Sequence, residues 1–354
     1  MITERRKTKA VRAGNVTIGG GAPIAVQSML NTDSHDADAC IAQTEALVKA
    51  GCDIVRLAVP DIAAARTFAV MKERGIAVPL VADIHFDYKI ALEAAACGAD
   101  KIRINPGNIG ADERVREVVR ACRAHQLPIR IGVNSGSLEK HILEKYGAPT
   151  AEALAESAMY HAALLEKFDF TDIVISIKAS TVSQMIAANR ILASRCDYPL
   201  HLGVTEAGSA HMGTIKSAAG IGSLLCDGIG DTIRVSLTAD PVREVVEAHN
   251  ILRALELEET GINLVSCPTC GRTQIPLISM VEQFEARMGE LPKDKKLRVA
   301  MMGCIVNGPG EAREADIGIA GGRDEAVLFR HGEIVKKIPA DRAVDVLIEE
   351  IKKL

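Results

Sequence analysis

The sequence lacks any run of about 20 apolar residues able to span a bilayer. Its opening, MITERRKTKA, also lacks the apolar core of a signal peptide. Both absences count against a membrane protein and set the cytoplasm as the expected compartment. A global basic field is missing as well. Lys+Arg of 42 against Asp+Glu of 46 leaves a net charge of −4, which argues against a surface built to hold a nucleic-acid backbone. Any anion binding must then be local. Low-complexity tracts and short tandem repeats are absent. What is present is ordinary globular material: 354 residues, 48% hydrophobic, 25% charged, with 29 glycines. That is enough chain for two domains, or for one large barrel with an appendage.

Nine cysteines, an odd number in a chain of this size, argue against a disulfide framework. Six of them (Cys40, Cys52, Cys97, Cys122, Cys196, Cys226) sit singly in apolar or Ala-rich stretches and read as small buried hydrophobes. Cys267, Cys270 and Cys304 have different surroundings.

Short β-branched runs recur with helical-period segments between them: IAVQSM, DIVRLAV, PLVADI, KIRINPG, PIRIGVN, DIVISIKAS, LHLGVTEAG and DTIRVSL. Their starts lie 22 to 31 residues apart except for one gap of 44, around SLEKHILEKYG. Eight βα units predict an α/β fold with an N-terminal (β/α)8 TIM-like barrel over residues 1–258, its fifth unit carrying an insertion. An open doubly wound sheet is the other topology compatible with the pattern. Ahead of the first unit, AVRAGNVTIGGG predicts a β-hairpin that plugs the bottom of the barrel. Beyond Glu258 the rhythm stops. Residues 261–354 predict a small α+β domain with SCPTCGRTQ, a helix over Gln274 to Met288, short strands and a final helix from near Asp341.

Side chains alternate between the faces of a strand, so each barrel strand divides into a helix-facing and an inward set. The inward set holds Arg56, Asp83, His85, Lys101, Arg103, Arg130, Asn134, Lys178, Glu206, Arg234 and Ser236, where an ordinary barrel would carry Val, Ile and Leu. Six cations against two carboxylates leave an excess of four positive charges. Unpaired buried charge costs several kcal/mol, roughly, so such a cluster points to an anion in the barrel mouth. Arginine forks suit diphosphate oxygens. A phosphorylated small molecule is the substrate class this predicts, with Lys101 and Arg234 as the cations most suited to plain structural pairing.

Cys267-Pro268-Thr269-Cys270 is followed 34 residues later by Cys304, and Glu311 lies seven residues further on. Structural zinc asks for four N/S ligands, whereas three thiolates suit a [4Fe-4S] cluster whose fourth iron keeps a weaker, exchangeable ligand. The segment GCIVNGPGE has the Gly and Pro content of a loop that wraps a cofactor closely.

The motifs QSMLNTDSHD, DIVRLAVP, ADIHFD, IRINPGNIG, IRIGVNSGSLE, SIKAS, GVTEAG, RVSLTADP, SCPTCGRT and MGCIVNGPGEA run the length of the chain. On these the chain resembles the bacterial two-domain 4-hydroxy-3-methylbut-2-en-1-yl diphosphate synthases, without the long extra domain of the plant type. The resemblance implies a C-terminal domain like the cluster domains of sulfite and nitrite reductases. It implies a [4Fe-4S] cluster on Cys267, Cys270, Cys304 and Glu311, and a diphosphate held by Arg56, Arg103, Arg130, Asn134, Lys178 and Ser236. Asp83 and His85 join that substrate set through their inward parity, and Glu206 matches a carboxylate beside the reacting carbon. The implied reaction converts 2-C-methyl-D-erythritol 2,4-cyclodiphosphate to (E)-4-hydroxy-3-methylbut-2-enyl diphosphate, with flavodoxin or ferredoxin as donor. A head-to-tail homodimer is implied too, in which the cluster domain of one subunit serves the barrel of the other. Two other classes stay open: a non-redox barrel enzyme for a phosphorylated substrate with a structural metal domain, and an Fe-S redox sensor.

Overall fold

In the computed structural model of the chain, residues 3–179, 181–258, 260–292, 294–304, 313–323 and 325–354 are described. The chain divides into two units, Met1–Ile251 and Leu252–Leu354.

The first unit opens with the expected hairpin, β1 (Val11–Ala13) and β2 (Val16–Ile18), which turns at Gly14 with a positive φ of 55°. Eight parallel strands follow: β3 (Ala25–Met29), β4 (Ile54–Ala58), β5 (Leu80–Asp83), β6 (Lys101–Ile104), β7 (Ile129–Asn134), β8 (Ile173–Lys178), β9 (His201–Gly203) and β10 (Thr232–Arg234). Their spatial order is β8-β7-β6-β5-β4-β3-β10-β9, and a bridge from Ile175 to Leu200 ties β8 to β9. The sheet therefore closes on itself, which excludes the open doubly wound alternative. Hairpin residues Val11, Ala13 and Ile18 form one buried cluster with Ala25, Ile54, Val81 and Val174 from the barrel strands. They cap the N-terminal end of the barrel with apolar surface, leaving the other end free for chemistry.

Helix starts follow the chemistry of the sequence. Asp36, Thr150, Thr181 and Ser209 each accept a backbone N–H three residues on, opening the helices Ala37–Ala50, Ala151–Glu166, Val182–Ala193 and Ala210–Cys226. The insertion in the fifth unit is the short helix Lys140–Tyr146. Cys40, Cys52 and Cys122 are buried as expected, and burial pushes the Cys52 and Cys122 thiols up to about 12. Cys97 and Cys196 are half-buried. Cys226 departs from the expectation and is exposed: it ends its helix one position past buried Leu225, where the helical turn carries the side chain off the packed face.

The second unit is a five-stranded mixed sheet of β11 (Gly261–Ser266), β12 (Lys296–Met302), β13 (Ile317–Gly321), β14 (Glu325–Arg330) and β15 (Glu333–Pro339), in that order. β11 to β13 run parallel and β13 to β15 antiparallel. Helices Leu277–Arg287 and Ala343–Ile351 cover one face, packing Met280, Phe284, Leu347 and Ile351 on Val299, Met301, Ile317 and Ile319. β11 has no counterpart in the sequence reading. It is an edge strand in which only Ile262 is buried, so it shows no hydrophobic run. The first helix starts at Leu277 rather than Gln274 because Pro276 occupies its N-cap. Among the described residues no helix is long and apolar enough to cross a membrane.

Candidate functional site

Above the plug, the inward positions of the barrel turn polar. On β4, Val55 and Leu57 face the helices while Arg56 points in at 5% exposure. Asp83, Arg103 and Arg130 lie at neighbouring register positions on β5, β6 and β7, and all three are buried. Asp83 is the hub. Its Oδ2 lies 3.0 Å from Arg56 Nη2 and its Oδ1 3.0 Å from Arg103 Nη1. Burial opposes ionisation of Asp83, yet the charges of Arg56, Arg103 and Arg130 hold its carboxyl far below the usual carboxylate range. Burial also pulls the Arg56 guanidinium down to about 10, against the attraction of Asp83.

One carboxylate cannot satisfy this set. Arg56 Nε and Nη1, Arg103 Nε, and Arg130 Nε and Nη1 are buried without a hydrogen-bond partner. Burial first and then the neighbouring Arg56 charge disfavour the charged forms of Arg130 and Lys178. Arginine does not shed its proton under ordinary conditions, so buried guanidinium N–H groups of this kind ask for an anion. Lys101, fully buried, donates to Gln27 Oε1 at 3.4 Å and has no carboxylate partner among the described residues. Arg234 does have one, Glu244, at 3.3 Å, while its Nε is buried without a hydrogen-bond partner like those of the other three arginines.

The remaining sequence-derived positions sit higher, at the rim. Asn134 ends β7 half-buried, and Ser236, two residues beyond β10, is also half-buried. His85 lies two residues past β5, is exposed, and holds Nε2 3.7 Å from Asp83 Oδ2. Glu206 is exposed on the loop after β9, with a positive φ of 56° that is unusual for a residue with a Cβ. The barrel thus gathers Arg56, Asp83, Arg103, Arg130 and Lys178 in its interior and leaves His85 and Glu206 at its edge.

In the second unit, β11 and β12 pair so that Ser266 lies opposite Met301. This places Cys267 and Gly303-Cys304 on adjoining loops. The Gly303 N–H donates to Cys267 Sγ at 3.2 Å, and the Gly303 carbonyl accepts from the Gln274 N–H at 2.9 Å. A Cβ at Gly303 would stand 2.8 Å from the Thr273 side chain, so glycine permits this approach. Cys304 is buried and Cys270 exposed, and hydrogen bonds from Arg272 lower the Cys270 thiol. Among the described residues no three His, Cys, Asp or Glu side chains converge tightly enough to hold a single metal ion. Glu311 lies outside the described residues.

Residues 8–249 match the GcpE TIM-barrel domain, and residues 263–353 match the GcpE protein C-terminal domain. The chain belongs to the GcpE family. The 4-hydroxy-3-methylbut-2-en-1-yl diphosphate synthase (flavodoxin) of Geobacter sulfurreducens is 58% identical over 350 residues, spanning 99% of this chain and 98% of that protein. The protein of the same name from Ruminiclostridium cellulolyticum is 55% identical over 351 residues, spanning 99% of each chain. Among solved structures, the type I 3-dehydroquinate dehydratase of Clostridium difficile superposes with a TM-score of 0.52 at 15% identity, over 70% of this chain and 98% of that one. That likeness concerns the barrel fold alone.

Three features of this GcpE-family site escaped the sequence reading. Gly132 sits between Arg130 and Asn134 on β7, and a Cβ there would lie 2.5 Å from the Arg103 guanidinium, so glycine makes the room Arg103 fills. A glycine inside an otherwise β-branched strand was the available signal. Glu244 has no local signature. The third is the pair of Glu139 and fully buried His161, 2.6 Å apart. It packs against Gly107 beside Asn105, whose Nδ2 donates to Ser137 Oγ at 3.2 Å. The pair braces two rim loops together.

Proposed function

We propose that this GcpE-family protein is an oxidoreductase that opens 2-C-methyl-D-erythritol 2,4-cyclodiphosphate to (E)-4-hydroxy-3-methylbut-2-enyl diphosphate. The observation that carries the reading is the buried cation set around one carboxylate, with five guanidinium nitrogens left unpartnered on Arg56, Arg103 and Arg130. That is the chemistry of a diphosphate cradle. The names of the relatives agree with it.

The reaction consumes two electrons and one proton and releases water. Arg56, Arg103, Arg130 and Lys178 hold the diphosphate, with Asn134 and Ser236 donating from the rim. Asp83 fixes two of the arginines, and His85 stands beside it. Glu206, on its strained loop, holds at a carboxyl oxygen the proton that the departing hydroxyl takes as water. When bound, a [4Fe-4S] cluster supplies the electrons and a Lewis-acidic iron. Cys267, Cys270, Cys304 and Glu311 would hold it. Cys267 and Cys304 lie on adjoining loops joined by the Gly303 N–H bond to Cys267 Sγ, and a set of three soft thiolates fits such a group. The functional division is into a barrel at 1–258 and a cluster domain at 261–354. Flavodoxin or ferredoxin serves as donor, and the working form is a cytoplasmic homodimer.

The test is turnover. Anaerobic protein reconstituted with iron and sulfide, then reduced artificially, should convert the cyclic diphosphate to an open-chain one, followed by phosphorus NMR. Iron binding without consumption of the cyclodiphosphate would overturn the reading.

A further inference from the structure

Beneath the cradle the barrel interior stays polar. The parallel registers place Gln27, Val81, Arg130 and His201, on alternate strands, at one level of the barrel, and Ile54, Lys101, Val174 and Thr232, on the strands between, at the level below. Ser176 on β8 pairs in register with Gly132 and stands one level above His201. Ile54, Val81 and Val174 pack on the apolar hairpin, which shuts this region off from the N-terminal end.

Gln27, Lys101, Ser176 and His201 are each at most 1% exposed. Lys101 Nζ donates to Gln27 Oε1 at 3.4 Å, which ties the two side chains across the barrel and leaves Gln27 Nε2 as the free end of the amide. Gln27 Nε2, Ser176 Oγ and His201 Nε2 are buried without a hydrogen-bond partner. His201 Nδ1 lies 2.8 Å from Thr232 Oγ1. With the threonine hydroxyl donating, the ring carries its proton on Nε2, and burial first and then the charges of Arg130 and Lys101 keep that ring neutral. The result is a set of groups that all donate, two of which, the ammonium and the amide nitrogen, can do nothing else.

A buried ammonium without a carboxylate is costly, and Lys101 has none among the described residues. A water molecule would bring two protons of its own and find few acceptors for them. An anion accepts from every side. We propose that the lower barrel is a second ligand site, which takes one monovalent anion of chloride size on Lys101 Nζ, Gln27 Nε2, Ser176 Oγ and His201 Nε2. One negative charge there balances Lys101 and offsets its repulsion with Arg130 at the next level. The inference stands on these buried levels and does not depend on what the barrel mouth binds.

Bromide, which scatters anomalously, reports where a halide sits. Crystals of the full-length protein soaked in bromide should show an anomalous peak beside Lys101 Nζ and His201 Nε2. In solution, replacing gluconate by chloride at constant ionic strength should raise the Tm by about 5 °C once chloride reaches roughly a hundredfold excess over its Kd. Lys101→Met removes the charge at similar volume and should abolish both the peak and the chloride response. Ser176→Ala is a milder change that should weaken chloride binding about tenfold, and it tests the site should Lys101→Met fail to fold. A bromide peak confined to Arg56 and Arg103 would place the anion in the mouth and overturn the inference. So would a wild-type Tm indifferent to chloride, or a response that both variants retain in full. None of these results bears on the diphosphate reading, which pyrophosphate binding tests separately.

Discussion

The barrel mouth and the cysteine loops solve opposite problems with the same chain. In the barrel, strands hold like charges together: Arg56, Arg103 and Arg130 project from adjacent parts of a closed sheet, and Asp83 bridges Arg56 and Arg103. Their positions are fixed by the regular parallel pairing of β4 to β7. In the second unit the thiols sit on loops stitched by single bonds, such as Gly303 N–H to Cys267 Sγ. Thiolates repel too, but the β11–β12 register brings only the two loops side by side and leaves the thiols themselves on loop backbone. A site for a mobile anion is best built before the ligand arrives, whereas an inorganic group that stays can organise its own loops.

The sharpest way to break this contrast is to remove a thiol. Ser at Cys267, Cys270 or Cys304 should abolish the visible absorption of a reconstituted cluster while the barrel still binds pyrophosphate. Full iron content in any of these variants would remove that residue from the site. Next in size is Asp83→Asn, which strands two buried arginines and should lower stability by about 3–5 kcal/mol near neutral pH. Because the folded-state carboxyl is depressed, its contribution is complete above the ordinary carboxylate range, near pH 4, and fades as pH falls below it. The melting difference between Asp83→Asn and wild type should therefore shrink in acid. A difference that stays constant from pH 7 to pH 3 would mean that the Asp83 charge is not what stabilises the cluster of arginines.

Arg130→Ala should cost about 1.5–3 kcal/mol of substrate binding, roughly a ten- to hundredfold rise in KM, with iron content unchanged. Unaltered affinity would make Arg130 a purely structural cation. Gly132→Ala should displace Arg103 and cost about 1–3 kcal/mol of stability through overpacking. It should weaken pyrophosphate binding as well, because the shifted guanidinium is a cradle member. The smallest effect belongs to the brace. Glu139→Gln should lower stability by about 1 kcal/mol and raise KM a few-fold with little change in kcat. A fall in kcat at constant KM would show that the rim loops do more than position the diphosphate.

The periodicity of eight β-branched runs was enough to read the barrel, because burial on both faces of parallel strands demands it. The inward charges were equally plain, since parity alone separates Arg56 from Val55 and Leu57. β11 was not legible. An edge strand with one buried residue carries little hydrophobic pattern, and pairing with β12 defines it. Pro276 could have placed the start of the following helix, and the sequence reading ran through it.

Residue types and their two-residue alternation determined, without any structure, that the barrel interior is cationic and that three soft ligands gather after residue 261. Which cations are free and which are spoken for was decided only by the tertiary structure. Arg234 pairs with a glutamate ten positions later on a helix, Arg103 fits because a strand away Gly132 lacks a Cβ, and Lys101 donates to the amide oxygen of Gln27 with no carboxylate partner among the described residues. Local sequence sets which way a side chain points. Its charge state and its partners depend on what other strands and helices bring within about 4 Å, and that is a property of the closed barrel.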